Sequence, residues 1–296
     1  MEVSMKTVVI TGGTDGIGKA LALTYLKRGD RVVAIGTNPT KGRTLHDAAA
    51  TLGATDRLEF IRADLSLVAE NQRVLDRITG TYPVVDVLVL GARYYRSQRA
   101  VTAEGFEANF ALFYLSRYLL GHGLVAHMER AATPVLVDLS GPGGDLSHIR
   151  WADLQFGRSY DPDAIMHQCG KLSDLLAVAF THRYPHSRIR YLLLHPGLTA
   201  TGFTGDYSPA DAAVVAGMRN RAQPVETALA RILPHLDNPP SAPLSAFMQD
   251  TPVDIGGAAF DPAAAERLAR HTEKLLSSTG LSQGHRHGYR DAPGPR

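Results

Sequence analysis

Cysteine is nearly absent: Cys169 is the only one in 296 residues. A single cysteine excludes an intramolecular disulfide framework and any multi-cysteine metal site. An excess of one charge is missing too. Lys plus Arg number 31 and Asp plus Glu 29, a formal net charge of +2. That is too small to argue for a nucleic-acid or membrane-surface partner. No apolar run approaches the ~18 residues that suggest a membrane span. Met1-Glu2-Val3-Ser4 has no basic stretch, and the apolar residues up to Ile10 are broken at once by Thr11-Gly12-Gly13. No secretory leader is expected, and the chain reads as soluble and cytoplasmic. What is left is a globular composition, 44% hydrophobic and 20% charged, at a length that permits one large α/β domain.

Short apolar runs alternate with amphipathic stretches over the first two-thirds of the chain. Val8–Ile10 reads as a buried strand, followed by a helix with Ile17, Leu21 and Tyr25 on one face and Gly29 as its stop. Further strands are expected at 31–35, 57–61, 84–90, 134–139, 188–194 and 244–248. Long helices are expected at 104–120, 163–183, 224–236 and 262–277. This alternation means βαβ units and a parallel, doubly wound sheet of about seven strands. Residues 202–221 are polar and rich in small side chains, and read as a mobile lid on a domain spanning 1–279. Residues 280–296 show no periodicity and read as a disordered tail.

Thr11-Gly12-Gly13-Thr14-Asp15-Gly16-Ile17-Gly18 lies between the first strand and the first helix. Glycines there permit positive φ and close backbone approach to a ligand. The helix start offers free N–H groups and the positive dipole end to a pyrophosphate. A carboxylate after the second strand would select NAD by accepting from the ribose 2′-hydroxyl. The residues there are Gly36-Thr37-Asn38-Pro39, with Lys41 and Arg43 following. NADP is therefore favoured and NAD remains possible. Thr37, Lys41 and Arg43 either meet a 2′-phosphate or, for the two cations, are ordinary solvated helix charges.

The spacing Thr-Gly-x-x-x-Gly-x-Gly resembles that of the short-chain dehydrogenase/reductase family, and the resemblance runs from about Lys6 to about Thr201. Asp64-Leu65 resemble that family's adenine-contacting segment. Asn109, in Gly105-Phe106-Glu107-Ala108-Asn109-Phe110, resembles its active-site Asn, and Ser140 its catalytic Ser. Pro196-Gly197-Leu198-Thr199-Ala200-Thr201 resembles its segment at the nicotinamide amide. Trp151-Ala152-Asp153-Leu154 and Tyr160-Asp161-Pro162 resemble the retinol-dehydrogenase-like branch. The resemblance implies a Rossmann-like fold, oxidoreductase activity on a small molecule, and a homo-oligomer, dimer or tetramer, built through the long helices. It implies a dinucleotide held by Gly12, Thr14, Asp15, Gly16, Ile17, Gly18, Thr37, Asn38, Asp64, Leu65, Ala92, Lys171, Pro196, Gly197 and Thr201.

Two departures from the family pattern bear on chemistry. The family's Tyr-x-x-x-Lys places a proton donor and a Lys on one helix face at i, i+4. Here Lys171 has the Lys position, and four residues earlier stands His167. Tyr160 is eleven residues before Lys171, about three helical turns away. The second departure is Leu90-Gly91-Ala92-Arg93, where the family has Asn-Asn-Ala-Gly. Arg93 is expected to pair with a phosphate or a substrate acid, or to crowd the nicotinamide side. Imidazole has a reference pKa of ~6.5 against ~10 for Tyr, and cationic neighbours disfavour imidazolium. His167 thus suits proton abstraction, or it is a structural residue in a degenerate site.

The residues expected to form the site are Asn109, Ser140, His167 and Lys171. Ser140 would hold the substrate oxygen, His167 would move the proton and Lys171 would bind the ribose. The first functional expectation is an atypical NADP(H)-dependent oxidoreductase acting on a mid-sized carbonyl or hydroxyl compound. The alternatives are a non-redox cyclase, dehydratase or isomerase of natural-product biosynthesis, and a non-catalytic nucleotide sensor. His195 and Cys169 read as structural, and His285 and His287 as surface residues of the tail.

Overall fold

The strands follow the apolar runs, because a residue pair facing opposite sides of a sheet must be apolar twice when helices cover both faces. The computed structural model describes residues 5–278. Eight strands form one sheet in the order β10-β9-β7-β6-β4-β1-β2-β3. They are β1 (Thr7–Thr11), β2 (Arg31–Gly36), β3 (Leu58–Arg62), β4 (Val87–Leu90), β6 (Val135–Asp138), β7 (Arg190–His195), β9 (Leu244–Met248) and β10 (Thr251–Pro252). All neighbours pair in parallel except β10, which returns antiparallel on β9. The seven parallel strands match the expected count, and β10, only two residues long, is the addition. The expected tail at 280–296 lies outside the described residues.

Alternate residues of each strand feed two cores. Val9, Val33, Leu88 and Leu136 face a layer containing α3 (Val68–Thr81), α5 (Ser116–Gly123), α7 (Pro162–Arg183) and α10 (Pro262–Ser278). Val8, Val32, Val87 and Val135 face α1 (Gly16–Lys27), α2 (Pro39–Thr51) and α9 (Val225–Asp237). Among the described residues no helix is long and apolar enough to cross a membrane. The helix starts follow their caps. Asn38 accepts from the Thr40 and Lys41 N–H groups before Pro39, and Asp161 from Asp163 and Ala164 before Pro162, satisfying donors that the first turn leaves free.

One expectation is corrected. The helix predicted from residue 104 begins at α4 (Ala108–Phe110), because residues 101–107 form a turn pinned by a Val101–Glu107 bridge. It continues through a π turn, Ala111–Leu115, into α5, and α6 (Val125–Met128) follows. Residues 202–221, expected as a mobile lid, hold β8 (Gly205–Asp206) and α8 (Pro209–Arg221). β8 pairs in parallel with β5 (Tyr95–Arg96), the segment that follows β4. Tyr95 stacks on Tyr207 at 5.3 Å, Tyr94 Oη donates to Asp206 at 2.7 Å, and the Ser208 N–H donates to Ser97 Oγ at 2.7 Å. A two-stranded clasp therefore ties the carboxyl end of β4 to the segment after β7.

Candidate active site

Strand order reverses between β1 and β4, the place where open α/β sheets leave a crevice at their carboxyl ends. The turn after β1 is shaped as a phosphate cradle. Gly12 and Gly16 have φ of 70° and 47°. A Cβ on Gly12 would lie 3.1 Å from the Ala92 Cα, and one on Gly18 would collide with the Gly12 carbonyl. Only glycine allows the backbone this approach. Thr11 Oγ1 accepts from the Gly91 and Ala92 N–H groups at 2.9 and 3.1 Å, holding the end of β4 against the cradle. Asp15 caps α1 by accepting from Gly16 N–H at 2.8 Å. This geometry fits a dinucleotide's pyrophosphate.

The ribose side differs from expectation. Asn38 spends its carbonyl on capping α2. Lys41 is ion-paired with Asp15, and Arg43 donates to Thr40 Oγ1 at 2.9 Å. Lys41 is thus held by the acid of the glycine turn, while Arg43 keeps its charge without an ion-pair partner among the described residues. Thr37 is exposed beside Gly36, against which Thr14 Oγ1 packs. Asp64 folds back to accept from Ser66 N–H and Oγ, and Leu65 is buried.

At the other half of the crevice Pro196 to Ala200 form a turn opened by Gly197 at φ 100°. Gln223 and Arg231 donate to the Pro196 carbonyl at 2.6 and 2.8 Å, and the Gln223 N–H donates to the Leu198 carbonyl. The sequence reading missed both residues, since nothing local marks them. His195 Nδ1 accepts from Gly197 N–H at 3.2 Å, a structural role as expected. Thr201 packs on the phosphate turn, with Cγ2 2.6 Å from where a Gly16 Cβ would stand.

Lys171 comes to the end of β6, where it reaches the residue after Ser140. Ser140 is 3% exposed, and its Oγ makes no full-geometry hydrogen bond but lies close enough to the Asp138 carboxyl to help lower its pKa. Lys171 Nζ donates to the next residue's carbonyl, Gly141, at 3.3 Å and to Asp174 Oδ2 at 2.8 Å. Asp174 is fully buried and also accepts from Gly143 N–H at 3.0 Å. Burial pushes its carboxyl up to about 7, against the pull of Lys171. Behind it, buried Arg117 pairs with Asp138 and donates to Ser173 Oγ at 3.1 Å. Asp174 and the Arg117–Asp138 pair were not singled out in the sequence, because a charged residue inside a helix or at a strand end gives no sign of burial.

Asn109 sits in a closed ring of hydrogen bonds. Its Nδ2 donates to Tyr160 Oη at 3.0 Å, Tyr160 Oη donates to the Arg96 carbonyl at 2.8 Å, and Arg96 Nη1 donates to Asn109 Oδ1 at 3.2 Å. Tyr160, set aside as three turns from Lys171, is brought to Asn109 because it precedes α7 and the chain turns back there. Burial raises its hydroxyl to about 12. His167 lies on α7 one turn before Lys171, is exposed, and forms no hydrogen bond or ion pair among the described residues. The structure thus brings Lys171 to the residue after Ser140, places Asn109 in a separate bonded ring, and leaves His167 open. Cys169 is buried, as a small apolar residue would be.

The short chain dehydrogenase family model matches residues 6–152. The chain is 28% identical over 206 residues to retinol dehydrogenase 13 of Mus musculus, covering 66% of this chain and 59% of that protein. It is 35% identical over 198 residues to the candidate daunorubicin C-13 ketoreductase DnrU of Streptomyces sp. (strain C5), covering 66% of this chain and 67% of that one. An alcohol dehydrogenase from Thermococcus sibiricus, solved with 5-hydroxy-NADP, superposes with a TM-score of 0.60 at 17% identity over 83% of this chain and 96% of that one. With this parallel sheet and glycine cradle, the chain belongs to the short chain dehydrogenase family.

Proposed function

We propose that the protein is an NADP(H)-dependent oxidoreductase acting on a mid-sized carbonyl or hydroxyl compound, with His167 in the position of the family's proton-transfer Tyr. The observation that carries this reading is Ser140. Its buried hydroxyl stands just past β6, one residue before the carbonyl that Lys171 reaches, at the carboxyl edge of a sheet whose first turn is shaped for a phosphate. The Asp138 carboxylate engages that hydroxyl without a full-geometry hydrogen bond, and a substrate oxygen would give it a complete partner. A nicotinamide cofactor, when bound, supplies or accepts the hydride. The residues Gly12 to Gly18 hold its pyrophosphate, and the Pro196–Thr201 turn flanks its other end. Ser140 holds the substrate oxygen. His167 takes or gives the hydroxyl proton from its open position on α7. The NADP-bound neighbour and the reductase relatives support the cofactor and the reaction class.

A second reading, a non-redox cyclase, dehydratase or isomerase, draws on a specific feature. Lys171 is committed to Asp174 and Gly141, so ribose binding by Lys171 requires it to leave a buried partner. Loss of NADPH absorbance with a panel of aldehydes and ketones separates the two readings. On a turned-over substrate, His167→Ala is expected to lower the rate about 10²–10⁴-fold, the scale of one acid–base group. Full rate for that variant across the pH range would remove His167 from proton transfer.

A further inference from the structure

Arg93 occupies the position just past Ala92 at the carboxyl end of β4. Its side chain keeps accessible surface, yet its surroundings are crowded enough that desolvation lowers its pKa, and among the described residues no acid or carbonyl hydrogen-bonds or ion-pairs with it. The acids on the neighbouring segments have other partners. Asp163 accepts from Tyr95 Oη at 3.1 Å and Asp206 from Tyr94 Oη, while Asp138 and Asp174 hold Arg117 and Lys171.

The sheet sets where its charge stands. The phosphate cradle follows β1, on one side of β4, and Ser140 follows β6, on the other. His195 ends β7, beyond β6; burial first, and the charge of Arg93 second, hold its imidazole below the ordinary value. The same charge acts on Tyr207 of the clasp. Arg93 thus stands between the phosphate cradle and Ser140, one residue past Ala92, which packs on Gly12, and two residues before Tyr95, which stacks on Tyr207.

We propose that Arg93 is the anion anchor of the substrate pocket, and that the substrate is an aryl carbonyl or hydroxyl compound bearing a carboxylate. This rests on the oxidoreductase reading above. A guanidinium fork matches a carboxylate with two parallel charge-assisted hydrogen bonds, and the stacked Tyr95 and Tyr207 offer the aromatic wall.

The test uses 4-carboxybenzaldehyde and its methyl ester, titrated calorimetrically into the full chain without cofactor, with NADPH titrated in parallel. The acid is expected to bind roughly 10- to 100-fold more tightly than the ester, the scale of hydrogen bonds to a charged group. Arg93→Met should bring that ratio to about one, with Arg93→Lys retaining part of it, as one charge-assisted contact replaces a fork. Arg93→Gln serves as a second neutral variant if Arg93→Met lacks a native thermal transition. A ratio near one in the unmodified protein, or an unchanged ratio in the neutral variants, overturns the proposal. So does a neutral variant that weakens NADPH and leaves the ratio intact, because Arg93 would then serve the cofactor. An Arg93-dependent ratio with no NADPH-linked reduction of either aldehyde upholds the anchor and removes the oxidoreductase reading instead.

Discussion

Two carboxylates decide how the crevice presents its cations. Asp15 caps α1 and at the same time holds Lys41 at the mouth of the phosphate turn. Serine also caps helix starts, so Asp15→Ser is expected to keep α1 and release Lys41. NADPH affinity should then rise relative to NADH by about 1–2 kcal/mol, the scale of one charge-assisted hydrogen bond. Side-by-side titrations at one salt concentration check this, and an unchanged ratio would show Lys41 out of reach of the 2′-phosphate. Asp174 acts on Lys171 in the same way from a fully buried position. Its folded-state pKa is raised from 3.8 to about 7, so between those values the folded protein binds more protons than the unfolded chain. Stability from this group is present below about pH 4 and is lost as pH rises through 7. The contribution is on the order of 2–4 kcal/mol. Over that range the thermal midpoint of the unmodified protein should fall relative to that of Asp174→Asn, and parallel curves would show that Lys171 offsets the burial in full. The shape of the glycine turn, with Gly12 and Gly16 at positive φ, was legible in the sequence because its glycine spacing is a local signal. Asp174 and Arg117 were not, because their meaning depends on burial, which a polar letter in a helix does not disclose.

At the scale of elements, the strands and the capped helices were readable because apolar runs and Asn-Pro or Asp-Pro starts are local signals. The clasp of β5 and β8 was not. Each strand has two residues, and their pairing joins positions about 110 residues apart, so neither shows a period. α8 was hidden for another reason. It has one buried residue, Val215, and thus almost no apolar stripe to read. The clasp depends on side chains as much as on its few backbone bonds. Tyr207 stacks on Tyr95 and donates at 2.7 Å to the carbonyl of Phe203, itself held at φ 44°. Tyr207→Ala is expected to cost about 0.5–1.5 kcal/mol of local stability, the worth of an aromatic pair beyond its buried area. Amide exchange at Tyr95 and Gly205 should accelerate while that of β1 and β4 does not change. Equal acceleration across the sheet would mean that the clasp is part of the global unfolding unit and does not open separately.

The molecule as a whole is closed on the side where the family resemblance implied an oligomer. α10 lies along α7, with Ala265, Leu268 and Leu276 buried in the same core as Leu172, Leu176 and Phe180. Thr272 is hydrogen-bonded to Tyr114 Oη at 2.6 Å, Glu273 pairs with Arg183, and Arg267 sits over the Trp151 ring at 4.2 Å. A second copy docking on that face of α7 would have to displace this helix and re-expose its apolar stripe. α10 covers that face of α7, so a dimer or tetramer of the kind the resemblance implies would use another face of the long helices, and sedimentation of the full chain tests for it. A concentration-dependent dimer would place its interface elsewhere. Leu268, 1% exposed, tests how much α10 holds. Leu268→Ala removes three buried carbons and leaves a cavity, a change that costs about 2–5 kcal/mol in well-packed cores. At roughly 2–4 °C per kcal/mol for a chain of this size, the thermal midpoint should drop by about 4–20 °C. A drop of that size without any change in sedimentation would show α10 to be part of the monomer's own core. A variant that instead loses a dimer peak and keeps its midpoint would show the helix to be an exchanged or intermolecular element.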